Sequence, residues 1–300
     1  MDAVTEELAP GVYAYVQPHG GWCVNNAGIV VGRNAVVVVD TAATEARARA
    51  LLATVGRLAP GRRRLVVSTH HHGDHTFGNS LFAPRALLIS HRRGPQEVAR
   101  RGLALQQLWP EVEWGSLRPV LPTVTVHEGM TLDLGGTTVE LLHLGPAHTC
   151  DDLVAWLPRE RVLFAGDIVF SGCTPFVLMG SLQGSLDVIR RLRELAPRVV
   201  VSGHGAVGGP EVLDATEAYL RWVRQIAQAG LRDGLEPLEA ARRADLGRFA
   251  QLLDAERLVG NLHRAYLESR GEPLGAHIGS TAVMREMVAF NGGRPLSCAA

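Results

Sequence analysis

Residues 69–75 read Thr69-His70-His71-His72-Gly73-Asp74-His75, a run that holds four histidines and one aspartate in seven positions. It contains the pattern His-x-His-x-Asp-His. The chain has 12 His and 12 Asp in 300 residues, so a chance match is on the order of one in a thousand. Imidazole nitrogen and carboxylate oxygen both suit zinc. A loop leaving a strand end can aim the alternate residues His70 and His72 at one metal, and Asp74 and His75 at a second. His71 falls out of phase and is expected to point away, toward the sheet or a hydrogen-bond partner.

Outward from the cluster, Leu65-Val66-Val67-Ser68 reads as a buried strand running into it. Upstream, Val12–Val16, Ile29–Val31 and Ala35–Val39 are strand segments, and Thr44–Leu58 has helical periodicity ended by Pro60-Gly61. Downstream, Ala86–Ser90 reads as strand and Gln96–Leu108 as helix. Val124–Val126, Thr131–Leu134 and Thr138–Leu142 read as strands. In the second half Leu153–Leu157, Arg161–Phe164 and Val199–Val201 read as strands, with a helix over Ser185–Leu195. This alternation predicts an α/β fold of two sheets packed face to face with helices outside. After residue 210 the pattern turns helical: Glu211–Ala229, Pro237–Ala244, Arg248–Ser269 and Ser280–Asn291. The expected organisation is a core over 1–210 and a helical extension over 211–300 packed on it.

Three further donors follow apolar runs, each within a glycine-containing turn. They are His148 in Gly145-Pro146-Ala147-His148-Thr149, Asp167 in Ala165-Gly166-Asp167, and His204 in Ser202-Gly203-His204-Gly205. With His70, His72, Asp74 and His75 they make seven donors of hard or borderline type.

Composition narrows the function classes. Thirty basic residues, all arginine, balance thirty acidic ones, and no basic stripe is visible. A nucleic-acid partner is therefore not expected. No apolar stretch approaches the roughly 18 residues of a bilayer span, so no membrane role is expected. The acidic N-terminal segment carries no signal-peptide pattern, and Cys23, Cys150, Cys173 and Cys298 show no paired spacing. Reduced thiols in a cytoplasmic protein are the expectation.

Other residues take plainer readings. Cys150 is expected not to be a ligand. His143 reads as a core histidine with its hydrogen bonds met, and His19, His91 and His127 as surface or turn residues. His263 and His277 lie in or near the helical extension. Asp40, ending the Ala35–Val39 run, reads either as a buttress behind the metal loop or as a helix cap. Trp22 either covers the groove or packs on the first sheet. Phe170, Phe176, Met179, Trp109 and Trp114 are apolar surface that each reads as core before pocket.

The order His-x-His-x-Asp-His, then His148, Asp167 and His204 after successive strands, resembles the metallo-β-lactamase superfamily. The resemblance implies an αβ/βα sandwich of two mixed sheets with outer helices. It implies a first metal on His70, His72 and His148, a second on Asp74, His75 and His204, and Asp167 as the bridge. Two Zn2+ are the expected cofactors, with iron and manganese also suited to these donors. Asp167 stands where one lactamase subclass uses Cys, so the chain looks more like the thioesterase and lactonase branches.

Gly20-Gly21-Trp22-Cys23-Val24-Asn25-Asn26-Ala27-Gly28, Gly145-Pro146-Ala147-His148-Thr149, Thr174-Pro175-Phe176, Leu252–Val259 and Asn261-Leu262-His263-Arg264-Ala265 are similar to metallo-β-lactamase-like cyclases of aromatic (type II) polyketide pathways. That resemblance implies aldol ring closure on a polyketide carried by acyl carrier protein and thioester hydrolysis; in two-metal hydrolysis Asp74 is expected to accept or relay the proton. A homo-oligomer is compatible with it. Other zinc-dependent thioester or lactone hydrolases (glyoxalase II-like or lactonase-like) are the alternative, and an inactive metal-binding module is a remote one. A superfamily nuclease would need a basic groove, and a flavin-partnered diiron oxidase an appended flavin domain.

Overall fold

The structure, a computed structural model, describes residues 3–300. Its first half runs β1 (Val4–Ala9), β2 (Val12–Val16), β3 (Ala27–Val31), β4 (Ala35–Val39), α1 (Glu45–Leu58), β5 (Arg63–Val67), α2 (Gly73–Thr76), α3 (Asn79–Phe82), β6 (Ala86–His91), α4 (Gly94–Arg101) and β7 (Val124–Val126). The second half runs β8 (Gly129–Asp133), β9 (Thr138–Leu142), β10 (Val154–Leu157), β11 (Val162–Phe170), α5 (Leu182–Glu194) and β12 (Val199–His204). Four helices follow: α6 (Glu211–Arg232), α7 (Pro237–Arg243), α8 (Arg257–Ser269) and α9 (Ser280–Phe290).

Two mixed sheets result. The first has the order β1-β2-β3-β4-β5-β6-β7 and the second β12-β11-β10-β9-β8. In the first, β1 to β4 pair antiparallel and β4 to β7 parallel. In the second only β11 and β12 are parallel.

The valine run of β4 shows why the layers stack. Side chains alternate across a strand. Val37 and Val39 face the second sheet, packing with Leu141, Leu157 and Phe164, whereas Val36 and Val38 face Leu51 and Val55 of α1. All four valines are fully or almost fully buried, and each contributes about 1.5–3 kcal/mol of apolar burial. A strand hydrophobic on both faces is what a covered parallel sheet requires. Thr44, not Asp40, caps α1, accepting the Arg47 N–H. The outer face of the second sheet (Leu163, Val169, Val200) packs on α5, and α6 and α8 join the same apolar cluster. The helical extension therefore shares a core with the strands. No helix among the described residues is long and apolar enough to cross a membrane.

The expected sandwich is present, with four local corrections. Residues 4–9, read as an acidic N-terminal segment, form an edge strand on β2, their glutamates in solvent. The expected helix 96–108 ends at Gly102, whose φ of +51° breaks it, and continues as a 3-10 turn over Ala104–Leu108. The expected helix 248–269 starts only at Arg257, after Asp254 at φ +59°. The strand over 161–164 runs on to Phe170, so Asp167 lies within β11 instead of after it.

Candidate metal centre

The histidine loop starts where β5 delivers the chain to the open end of the first sheet. Asp40, buried at the end of β4 with φ +63°, fixes it. The Thr69 backbone N–H donates to Asp40 Oδ1 at 2.7 Å, and the Thr69 hydroxyl to Oδ2 at 2.8 Å. His75 Nδ1 sits 2.8 Å from the same Oδ2. Asp40 is thus the buttress and not the cap.

Outward partners set each imidazole tautomer. The Thr69 hydroxyl is committed to Asp40, so the 3.0 Å contact with His70 Nδ1 requires His70 to donate there. His148 Nδ1 donates to the Phe176 carbonyl at 2.5 Å, and His204 Nδ1 to the Gly20 and Gly21 carbonyls, each at 3.1 Å. In His70, His75, His148 and His204 Nε2 is therefore the ring nitrogen turned inward, where it offers a lone pair once it is free of its proton. His72 is reversed: its Nδ1 lies 2.8 Å from His148 Nε2, and its Nε2 contacts Met179 Sδ.

The seven expected donors converge. His70, His72, His148 and Asp167 form one group able to hold a cation, and Asp74, His75 and His204 another, the ligand atoms of each lying within 4.8 Å of one another. Asp167 faces both. Its Oδ2 is 3.4 Å from His148 Nε2 and 3.4 Å from His204 Nε2, while Oδ1 is 3.2 Å from His75 Nε2. Asp74 Oδ2 lies 3.3 Å from His204 Nε2. Gly203 makes the room, because a Cβ there would stand 1.8 Å from Asp167 Oδ1.

The donor set fits a pair of cations. His70 Nε2 is buried without a hydrogen-bond partner, and His75 Nε2 and Asp167 Oδ1, though 3.2 Å apart, make no well-aligned hydrogen bond. Leaving such a group unpaired costs about 1–3 kcal/mol, which coordination would remove. Nitrogen and carboxylate donors of this kind suit zinc, iron or manganese.

The other sequence expectations sort cleanly. His71 points away, its Nδ1 2.6 Å from Asp151 Oδ1. Cys150 is in neither group, and burial pushes its thiol up to about 11. His143 is half-buried and donates to the Asp152 carbonyl at 2.8 Å. His91, expected at the surface, is buried at the end of β6 and stacks on His143 at 4.0 Å between ring centroids. Burial, and then the charge of His143, holds His91 down to about 4. His263 pairs with Glu286 and His277 lies by Arg100, neither at the centre. Trp22 covers the groove over the donors instead of packing on the first sheet, and it is held there. Its Nε1 donates to Glu256 at 2.7 Å, and the Arg257 guanidinium lies 4.1 Å above its ring. Trp22, Phe170, Phe176 and Met179 line a small cavity of about 60 Å³ with Asp74, Asp167 and His204, while Trp109 and Trp114 are buried core.

Sequence reading missed Asp151, Asp152, Glu256 and Arg257. Asp152 accepts from the backbone N–H of Ala147 and Thr149 and so shapes the loop that carries His148. The adjacent acids after His148 were the available signal. Glu256 and Arg257 lie in the segment Leu252–Val259, but nothing in it signals a contact with Trp22, 234 or more residues away.

The sequence model described as the metallo-β-lactamase superfamily matches residues 20–204, a span that contains all seven donors. The chain belongs to the metallo-β-lactamase superfamily. A metallo-β-lactamase type 2 of Bacteroides fragilis is 26% identical over 231 residues, covering 72% of this chain and 84% of that one. A hydroxyacylglutathione hydrolase of Methylococcus capsulatus is 28% identical over 230 residues, covering 75% and 76%. Among solved structures, a metallo-β-lactamase from Pontibacter korlensis superposes with TM-score 0.60 at 21% identity, covering 73% of this chain and 99% of that one. That likeness concerns the fold. The superfamily match stops at His204, so α6 to α9 lie beyond it.

In this superfamily chain the two donor groups differ in charge. Burial, and then the charges of neighbouring histidines, push His70 and His72 well below the ordinary imidazole value. Burial also opposes charge on His75 and His204, but Asp167 and the other carboxylates outweigh it. His75 is raised well above its ordinary value and His204 to about 9. In metal-free protein the raised His204 contributes stability that is fully present below pH about 6.5 and lost as pH rises through about 9. The melting temperature of chelator-treated wild type should fall across that window, and His204→Gln should flatten the fall. An unchanged profile in His204→Gln would remove His204 as its source. A cation competes with these protons, so metal affinity should rise with pH over the same range.

Proposed function

We propose that the chain is a two-zinc cyclase and thioesterase. It acts on an aromatic polyketide intermediate carried by acyl carrier protein, closing a ring by aldol condensation and hydrolysing the thioester. The observation that carries the proposal is an all-His/Asp, seven-donor centre opening onto an apolar cavity lined by Trp22, Phe170, Phe176 and Met179. The sequence segments that resemble polyketide cyclases support it.

His70, His72 and His148 would hold one ion and Asp74, His75 and His204 the other, with Asp167 between them. When bound, such ions supply Lewis-acid polarisation of a carbonyl oxygen and stabilise the charge that develops there in ring closure or hydrolysis. The protein's own groups do the rest. Asp74 is the proton acceptor: burial opposes its charge, but His75 and His204 outweigh burial and keep its carboxyl below the ordinary range, hence ionised at neutral pH. It lines the cavity and can hold a proton taken from an attacking carbon or water. Asp40 keeps His75 in its inward tautomer, and the Phe176 carbonyl does so for His148. The aromatic walls limit water around the reacting carbonyl.

A second reading, hydrolysis of an acylglutathione, draws on the hydroxyacylglutathione hydrolase relative. Turnover of aromatic polyketide-like thioesters, acylglutathiones and acyl-homoserine lactones by zinc-loaded protein decides between them. The proposal expects kcat/KM for the aromatic thioester to exceed the others by at least about 100-fold, a gap that apolar enclosure of a few extra carbons can supply. Preference for acylglutathione would replace it with the second reading.

A further inference from the structure

We infer that a large apolar chamber behind the metal centre holds the acyl portion of the substrate, and that helix α9 decides which acyl groups fit. The chamber, of about 690 Å³, lies between residues 101–108 on one side and α9 with the segment after it on the other. Its volume is in the range of sites that enclose a ligand of several fused rings. Phe77, Leu105, Leu108, Met179, Met284 and Val288 supply most of its wall.

Continuity with the reaction centre names the occupant. His72, Leu105, Leu108, Met179 and Met284 line both the chamber and the small cavity over the donors. A carbonyl held at the centre therefore has its attached chain directed into the chamber. Gln107, Ser280, Thr281 and the exposed Arg285 also lie along the wall and offer donors to carbonyl oxygens. The fitting class is a flat, carbonyl-bearing aromatic or poly-β-keto acyl group. The small polar acyl groups of metabolic thioesters would leave the chamber empty.

The far wall lies outside the superfamily match. Met284, Val288 and Leu296 all lie past residue 204, where the superfamily match ends. The wall is fixed in place: Val283 and Met287 are buried, and Trp109 Nε1 donates to the Leu296 carbonyl at 2.7 Å. Arg47 donates to the Ala299 carbonyl at 2.6 Å. The shared core thus carries the chemistry and the extension carries selectivity. Each buried methylene changes affinity by about fourfold, so filling part of the chamber has a measurable effect.

This inference deepens the proposed function and rests on it for the word substrate, but its test does not need turnover. Chelator-treated protein is titrated with anthraquinone-2-carboxylate and binding followed by tryptophan quenching and calorimetry. Val288→Trp, which fills the chamber at a half-buried position, should weaken binding at least about tenfold. Ala282→Trp, exposed on the same helix and outside the chamber, should bind as wild type. If Val288→Trp melts early, Leu108→Trp takes its place, because Leu108 is 41% exposed on the opposite wall and disturbs no core. Wild-type affinity in a folded Val288→Trp or Leu108→Trp variant overturns the inference, as does equal weakening in Ala282→Trp. In zinc-loaded protein the kcat/KM ratio of a naphthoyl over an acetyl thioester should drop about tenfold in Val288→Trp. If wild type turns over no thioester while the probe result holds, the chamber stands and the thioesterase reading falls.

Discussion

Asp167→Ala should reduce bound zinc from two ions per chain to one or none and lower thioester turnover by more than about 100-fold. Replacing a group that merely orients a metal ligand costs 10–100-fold in affinity or activity, and Asp167 stands closer than that. Its two oxygens lie 3.2–3.4 Å from His75, His148 and His204, so this member of the first donor group also reaches the second. Alanine leaves three donors on each side and nothing joining them. It also strips His75 and His204 of the countercharge that raises their proton affinity. Asp167→Asn keeps the shape without the charge and should fall between. Elemental analysis beside steady-state rates is the test, and a fully active Asp167→Ala variant containing no metal would refute the two-ion reading.

Asp40→Ala acts from further out. Asp40 receives the Thr69 N–H, the Thr69 hydroxyl and His75 Nδ1 on one buried carboxylate. Truncation leaves at least two buried donors without acceptors, so a loss of about 3–5 kcal/mol in stability is expected, with a 10–100-fold loss in zinc affinity. Asp40→Asn separates the two effects. Its carbonyl can still accept from Thr69, but its amide would meet the His75 Nδ1–H donor to donor. His75 should switch tautomer and turn an N–H toward the metal. The expected outcome is a near-native melting temperature with much weaker zinc binding. Wild-type zinc affinity in Asp40→Asn would show that the tautomer is not set by this contact.

The donor atoms were legible because chemistry restricts them to a few residue types at tight spacing, and because apolar runs announce the strands that carry them. The out-of-phase position of His71 was legible for the same reason. What supports the donors was harder to read. Asp40 left two readings open, since a carboxylate between strand and helix can cap or buttress; only the nearness of Thr69 and His75 decides it. His91 was misread because one polar residue at the end of an apolar strand gives no sign of the layer covering it. Asp167 was placed after its strand because the left-handed Gly166, φ +53°, looks like a terminator. In the structure the bulged pairing of β11 with β12 absorbs it and the strand continues. The Trp22–Glu256–Arg257 contact joins opposite ends of the chain and has no local signature. The chamber is likewise invisible before the fold is known, because its two walls come from segments about 180 residues apart.

The split of the donors between the two sheets has a consequence for biosynthesis. A ribosome that has released residues 1–140 has delivered His70, His72, Asp74 and His75 on a single loop, while His148, Asp167 and His204 are still to come. The first donor group is complete only once β11 brings Asp167, and the second lacks His204 until β12 docks beside β11. Filling both groups must therefore follow synthesis of about two thirds of the chain, and metal scarcity would act on newly made molecules before it touched those already assembled.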